Sequence, residues 1–253
     1  MQTPPPRFSI IIATYNAART IKRCVRSIRA QTIRAQIIVA DGLSKDATLQ
    51  IVKGLNDPDI QIVSERDTGV YDAWNKGLKI ATGEWIIFLG ADDYYADPQA
   101  LQSLADAISS APAGQKLFYG VIEGVDSNDR PLSEENVAWD RCSVQLERGM
   151  PFTHVGTAHA SSLFSDGRVF DASFRIAGDY NFLLPILREI GATFVPTYRV
   201  RMEMAGLSND RRNRLRLLKE QLRIRRTHGV RFGVRDALWF WAKFAYYRCF
   251  HAR

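Results

Sequence analysis

The first hundred residues alternate between two hydrophobic periods. "RFSIIIATYN" is a continuous apolar run from Phe8 to Ala13, the pattern of a strand buried on both faces. "ARTIKRCVRSIRAQ" follows, with Ile21, Cys24, Val25 and Ile28 at i, i+3, i+4 and i+7, which predicts an amphipathic helix. "QIIVADG" predicts a second strand ending at Asp41, and Ser44 precedes a short helix in "KDATLQIVKGL" as its cap candidate. "DIQIVSERDTG" is a third strand running into Glu65, Arg66 and Asp67. "VYDAWNKGLKIATG" is a helix stopped by Gly83, "EWIIFLGADD" a fourth strand, and "DPQALQSLADAIS" a helix with Pro98 near its first turn. Strand and helix in alternation imply an α/β fold with a mainly parallel central sheet. In such sheets ligands bind at the carboxyl ends of the strands. Asp41, Asp67 and the pair Asp92 and Asp93 follow three successive strands, each beside glycine or alanine.

Beyond Ser110 the pattern loosens. "QKLFYGVIEGVD" reads as a strand, "SNDRPLSEENVAWDR" as a loop and "FTHVGTAHASSLFSDG" as a further short strand. "IAGDYNFLLPILREIG" predicts a helix starting near Asp179 with Pro185 inside it. "ATFVPTYRVRMEMAGLSND" is strand then loop, and the remainder is helical. No internal repeat or long linker divides the chain.

Composition narrows the class. The 253 residues are 46% hydrophobic and 24% charged, which describes a globular chain. Cys24, Cys142 and Cys249 lack metal-type spacing and suit reduced thiols in a cytosolic setting. "MQTPPPRFSIIIATYN" does not read as a signal peptide, and no stretch reaches the roughly 18 apolar residues of a membrane span. The net charge of +7 is asymmetric: Arg199 to Arg253 carries +11 and residues 1–198 carry −4. Within that basic segment Leu215, Leu218 and Leu222 form a helix stripe. Trp239, Phe240, Trp241, Phe244, Tyr246, Tyr247 and Phe250 then crowd together between basic flanks. Aromatic and basic residues so mixed suit the interface of an anionic membrane, the alternative being a helix that covers the protein's own core. No nucleic-acid fold signature accompanies the charge, so no nucleic acid is expected as partner.

Adjacent carboxylates at a strand end are costly unless a cation compensates them. Hard divalent ions take oxygen ligands and bridge a carboxylate to a diphosphate. No GxxxxGK[ST] loop and no GxGxxG follows the first strand, so the acids suit base, ribose and metal contacts better than a glycine cradle.

Four segments in order resemble one family. "SIIIATYNAARTIKRCVRSIRAQ", "IIVADGLSKDATLQIV", "SERDTGVYDAWNKGLKIATGEWIIFLGADD" and "FDASFRIAGDYNFLL" are similar to the inverting family 2 glycosyltransferases of the GT-A fold. The resemblance spans about residues 8–210. It implies a GT-A domain over 1–208, with a nucleotide-binding half at 7–110 and an acceptor-binding half at 111–208. A basic, aromatic-rich helical extension follows at 209–253.

The resemblance also implies roles. Asp41 would bind uracil or ribose, Asp67 the base, and Thr14 and Asn16 would shape the nucleotide pocket. Asp92 and Asp93 match the end of the metal motif for Mn²⁺ or Mg²⁺, with Asp93 the expected direct ligand. Many members carry an acid where this chain has Gly90. Asp179 matches the general base, which takes the acceptor hydroxyl's proton during direct displacement. His154 falls near the acceptor pocket, and Ser208 lies in a loop that closes over the diphosphate. Asp72 and Asn75 fit helix-start polarity and packing equally well.

The expected activity is transfer of a sugar, from a UDP-sugar before other donors, to a lipid-linked saccharide or related acceptor in surface polysaccharide synthesis. The expected place is the inner face of the cytoplasmic membrane. The competing readings are a catalytically impaired sugar-nucleotide binder, a nucleotidyltransferase, for which "ATYNAART" lacks the glycine-rich loop, and a membrane-surface structural protein, against which the strand-end acids argue.

Overall fold

The computed structural model describes residues 7–204 and 213–230. The elements run in the predicted alternation: β1 (Phe8–Thr14), α1 (Ile21–Arg29), β2 (Gln36–Asp41), α2 (Thr48–Lys53), β3 (Ile60–Ser64), α3 (Val70–Leu78) and β4 (Trp85–Gly90). A two-residue β5 (Tyr94–Tyr95), α4 (Ala100–Ser110), β6 (Leu117–Val125), β7 (Pro131–Glu135) and α5 (Trp139–Cys142) follow. β8 (Ala158–Ala160), α6 (Gly178–Ile190), β9 (Thr193–Glu203) and α7 (Arg214–Thr227) complete the described chain.

The nine strands among the described residues join one sheet in the order β3-β2-β1-β4-β8-β6-β9-β5, with β7 beside β6. The apolar runs sort by the strand period of two. Ile10, Ile12, Ile37, Val39, Ile87 and Leu89 face one layer with α1 and α4. Ile11, Ile38, Ala40, Ile86 and Phe88 face the other, with α3 and α6. A strand buried on both faces needs no polar alternation, which is why these segments read as unbroken runs. Ile21, Cys24, Val25 and Ile28 of α1 are all buried, as their spacing predicts.

The sheet is mixed and not purely parallel. β1 pairs in parallel with β2 and β4, β2 with β3, and β6 with β9. The pairings β4–β8, β6–β8, β6–β7 and β5–β9 are antiparallel, so the sheet is mixed. The first four strands, joined by α1, α2 and α3, pair with one another only in parallel, and every antiparallel pair involves β5, β7 or β8. Two local readings also change. The stretch read as a loop after Val125 contains β7 and α5. Ser44 does not cap α2: the N-cap position is Ala47, and the Ser44 hydroxyl donates to Asp41 and accepts the Asn16 amide.

The order β3-β2-β1-β4 places β4 on the side of β1 opposite β2. Chain direction across the sheet therefore reverses between β1 and β4, which opens a crevice at their carboxyl ends. The helix α7 packs back on the domain: Ile224 and Val230 join the core layer of α6, and Leu217 lies against it. Among the described residues no helix is long and apolar enough to cross a membrane. Ser208 and the aromatic cluster at 239–250 lie outside the described residues.

Candidate active site

A cleft of about 850 Å³ occupies that crevice. Its floor comes from the ends of β1 (Ala13, Thr14) and β4 (Gly90, Ala91), and its sides from the loops after β1, β2 and β3. Of the expected site residues, Thr14, Asn16, Asp67 and Asp92 line it.

Thr14 is buried, and its hydroxyl has no hydrogen-bond partner among the described residues. A buried hydroxyl left unpaired at the floor of a cleft offers itself to whatever fills the cleft. Asn16 adopts the left-handed conformation (φ 52°), which asparagine tolerates. From there its side-chain oxygen accepts the Lys45 amide at 2.8 Å, and its own amide donates to the Ser44 hydroxyl at 2.8 Å. These bonds tie the β1 loop to the β2 loop. Asp41 anchors the same network from beneath. Its carboxylate accepts the Ser44 amide, the Ser44 hydroxyl and, at 2.8 Å, the Ser64 hydroxyl. Asp41 is buried and does not line the cleft.

Asp67 reaches the cleft because its neighbours are small. A Cβ at Gly42 would stand 2.3 Å from Asp67 Oδ2, so only glycine admits the carboxylate there. Its Oδ1 accepts the Gly69 amide at 3.1 Å, while partial burial pushes the carboxyl above its ordinary value. Gly69 has φ 142°, a conformation reserved for glycine. A Cβ there would come within 2.6 Å of the Arg175 guanidinium, which donates to the Thr68 carbonyl. Arg175 thus lies along the cleft wall, where it joins Arg19, Lys45 and Arg66. These four cations were not singled out in the sequence, since basic residues are common and nothing local marks them.

The pair that ends β4 is split between the cleft and the interior. Asp92 is half-buried and lines the cleft. Asp93 is buried, does not line the cleft, and its Oδ2 accepts the Gly90 amide at 2.7 Å. A turn at Ala91–Asp92 follows β4, closed by the Asp93 amide donating to the Gly90 carbonyl at 3.2 Å, and it brings the Asp93 carboxylate back onto the Gly90 amide. Burial pushes both carboxyls up, Asp93 well above its ordinary value and further raised by Asp92. Glu203, at the end of β9, adds to the rise at Asp92, while Arg19 and Arg23 oppose it. Glu203 itself is buried and pairs with Arg19 at 2.5 Å and Arg23 at 3.3 Å. The glycine in place of an acid has a steric reason. A Cβ at residue 90 would lie 2.7 Å from Asp92 Oδ1 and 2.9 Å from Asp93 Oδ2.

Among the described residues no group of three or more His, Cys, Asp or Glu side chains could enclose a metal ion. The described residues thus form no all-protein cage. The donor set fits a magnesium-like ion that takes one or two carboxylates and draws its other ligands from a diphosphate and water. Asp92 is the carboxylate so placed.

Asp179 stands in the first turn of α6, half-buried. Its Oδ1 accepts the Tyr180 amide at 2.8 Å and lies 3.1 Å from the Tyr71 hydroxyl. Burial outweighs both bonds and pushes the carboxyl up to about 6. Asp72 and Asn75 serve structure. Asp72 accepts the Thr68 amide at 2.9 Å ahead of α3, and Asn75 exchanges two hydrogen bonds with the Phe170 backbone.

His154, expected near an acceptor pocket, does not line the nucleotide cleft. It is buried among Trp74, Phe88 and Phe170, with its Nε2 3.1 Å from Nε2 of buried His159. Burial lowers both imidazoles, His154 well below its ordinary value and His159 to about 4. The pair is neutral at pH 7 and shares one N–H, a polar link inside the aromatic layer.

The crevice at the sheet's switch point is lined by Asp67 and Asp92 and by four cations, a lining that suits an anionic ligand. Comparison with known proteins gives the family. The Glycosyl transferase family 2 pattern matches residues 9–162. A PGL/p-HBAD biosynthesis glycosyltransferase of Mycobacterium bovis is 32% identical over 182 residues, 70% of this chain and 68% of that one. Two solved structures share the fold. One is S. aureus TarS 1-349 in complex with UDP-GlcNAc (TM-score 0.66, 20% identity, 86% of this chain covered). The other is the mannosyltransferase PcManGT from Pyrobaculum calidifontis in complex with GDP-Man and Mn²⁺ (TM-score 0.64, 21% identity, 91% covered). This chain spans 66% of each of those two. The chain belongs to glycosyl transferase family 2: it is an inverting glycosyltransferase of the GT-A fold that uses a nucleotide-sugar donor.

Proposed function

We propose that the chain transfers a sugar from a UDP-sugar to a hydroxyl of a lipid-linked saccharide, with inversion at the anomeric carbon. The observation that carries this reading is a half-buried carboxyl raised to about 6, on a turn whose Arg175 lines the nucleotide cleft. A base with that value is ionised at neutral pH and still takes a proton readily. Asp179 accepts the acceptor hydroxyl's proton as that oxygen bonds to the anomeric carbon. The bond from carbon to the diphosphate oxygen breaks on the opposite side. Arg19, Lys45, Arg66 and Arg175 supply positive charge along the wall where the leaving diphosphate gathers its electrons. Thr14, Asn16 and Asp67 form the nucleotide pocket, with Asp41 bracing it. Asp92, backed by Asp93, would hold Mn²⁺ or Mg²⁺, which when bound neutralises the diphosphate. Ser208, outside the described residues, remains the candidate that the family resemblance offers for contacting that diphosphate.

The choice of UDP draws support from the UDP-GlcNAc complex of TarS, and that of a divalent ion from the Mn²⁺ complex of PcManGT. The relatives named for PGL/p-HBAD biosynthesis support a biosynthetic glycan-building role. A screen of UDP- and GDP-sugars with Mn²⁺, read by thermal stabilisation and donor hydrolysis, tests the donor. Stabilisation by GDP-sugars alone would overturn the nucleotide assignment. Binding without product would favour the catalytically impaired reading.

The extension at 209–253 places the enzyme on an anionic membrane in this reading, at the inner face of the cytoplasmic membrane where lipid-linked acceptors are reached. Arg216, Lys219, Arg223 and Arg226 support it, being exposed along α7 at the spacing of one helix face. Flotation with anionic liposomes at low salt is the test, and a protein left wholly in the soluble fraction refutes it.

A further inference from the structure

The turn that carries Asp179 is held from outside its own helix. Ala177, at the N-cap of α6, makes no side-chain capping bond. Glu220 of α7 accepts three consecutive backbone amides there instead. Its Oε1 accepts the Arg175 N–H at 3.0 Å, and its Oε2 accepts those of Ile176 at 3.0 Å and Ala177 at 2.9 Å. From the other side the Tyr71 hydroxyl of α3 lies 2.6 Å from the Ile176 carbonyl oxygen. The turn from 175 to 179 is therefore gripped between α3 and α7, with a cleft-lining guanidinium at one end and the carboxyl of Asp179 at the other.

The chemistry of the grip is specific. Three amides converging on one side chain need two acceptor oxygens, and an ionised carboxylate alone offers these without a competing donor. Glutamine keeps the length but turns one oxygen into an N–H₂ group, which opposes an amide donor. Glu220 is also the sole acid in "RRNRLRLLKEQLRIRR", residues 211–226. A helix designed only to be basic would not spend a position on it.

We propose that Glu220 is a positioning residue for sugar transfer, setting the Arg175–Asp179 turn against the cleft and making α7 part of the catalytic unit. The proposal rests on the reading of Asp179 as the base. The groups that act on the Asp179 carboxyl are the Tyr71 hydroxyl on α3, the Tyr180 amide on α6 and the Glu220 carboxylate on α7, whose charge raises it.

The test uses the full chain with Glu220→Gln and Glu220→Asp. The Asp179 carboxyl is titrated by ¹³C NMR, its signal assigned by loss in Asp179→Asn, and transfer is measured across pH. In Glu220→Gln the Asp179 midpoint moves to lower pH, because a facing negative charge is gone and a loosened turn admits water. The turnover number falls about tenfold to a hundredfold, the cost of a misplaced reacting group, and UDP affinity changes far less. Glu220→Asp keeps the charge but falls one methylene short, so turnover falls while the midpoint stays near the parent's. A lowered melting temperature with the midpoint and the turnover of folded protein unchanged overturns the proposal. Should Glu220→Gln not fold, parent-like turnover in Glu220→Asp overturns it equally. A shifted midpoint in a chain that transfers no sugar leaves the Glu220 grip standing and refutes the reading of the site.

Discussion

Replacing Gly42 by alanine should weaken nucleotide binding without touching the nucleotide. The added Cβ would stand 2.3 Å from Asp67 Oδ2 and 3.0 Å from its Cγ, well inside contact distance. Asp67 must swing away, and its bond from the Gly69 amide limits where it can go. If Asp67 meets the base, the loss is that of a hydrogen bond to a charged group, about 1.5–3 kcal/mol. That corresponds to roughly a tenfold to 150-fold rise in the Kd for UDP by isothermal titration. Gly42 does not occupy the left-handed region, so alanine costs the backbone little and the melting temperature should barely move. The cycle with Asp67→Ala separates cause from coincidence. Once Asp67 is gone, Gly42→Ala should add almost nothing. Parent-like affinity in Gly42→Ala, or two losses that simply add, would refute the claim that Gly42 exists to seat Asp67.

The acids of β4 should separate in the same assay: Asp92→Ala weakens Mn²⁺-dependent UDP binding at an unchanged melting temperature. Asp93→Ala leaves the partly buried Gly90 amide without its acceptor and should cost about 1–3 kcal/mol of stability by urea unfolding. Asp179→Asn should lower turnover about 10²–10⁴-fold with UDP affinity intact. With the Asp179 carboxyl near 6, transfer in the parent should rise with pH through that value and level off above it, which a pH–rate profile checks. A raised carboxyl also costs stability once ionised: its contribution is present below the unfolded value and lost as pH rises through about 6. Asp179→Asn should therefore melt higher than the parent at pH 7 and not at pH 4. His154→Ala strands the His159 Nε2 and opens a hole in the aromatic layer. It should cost about 2–5 kcal/mol by urea unfolding and leave UDP affinity unchanged.

How much of this was legible beforehand depends on the range of each interaction. Strand and helix followed from periods of two and 3.6, which are properties of neighbouring residues. Ile21, Cys24, Val25 and Ile28 fell on one buried stripe because no distant contact can alter their spacing. The strand-end acids pointed to the cleft for the same reason, since a strand must end where its apolar run ends. Direction was harder. Ser44 looked like a helix cap and is instead captured by Asp41, three residues earlier. Nothing local in "FTHVGTAH" showed that His154 would pair with a buried His159.

The chain's local pattern thus determined the first half of the fold, the edge of the sheet that would bind, and the family. Tertiary structure decided which acids face the cleft. Asp93 turns inward because the Gly90 amide needs an acceptor, leaving Asp92 outside. It also decided what surrounds them: Arg19 and Arg23 beside Glu203, Arg175 over Gly69, and Glu220 beneath the Asp179 turn. Each of these joins residues far apart in the chain. Their pairing depends on β9 and α7 returning to the sheet, and no local periodicity encodes that return.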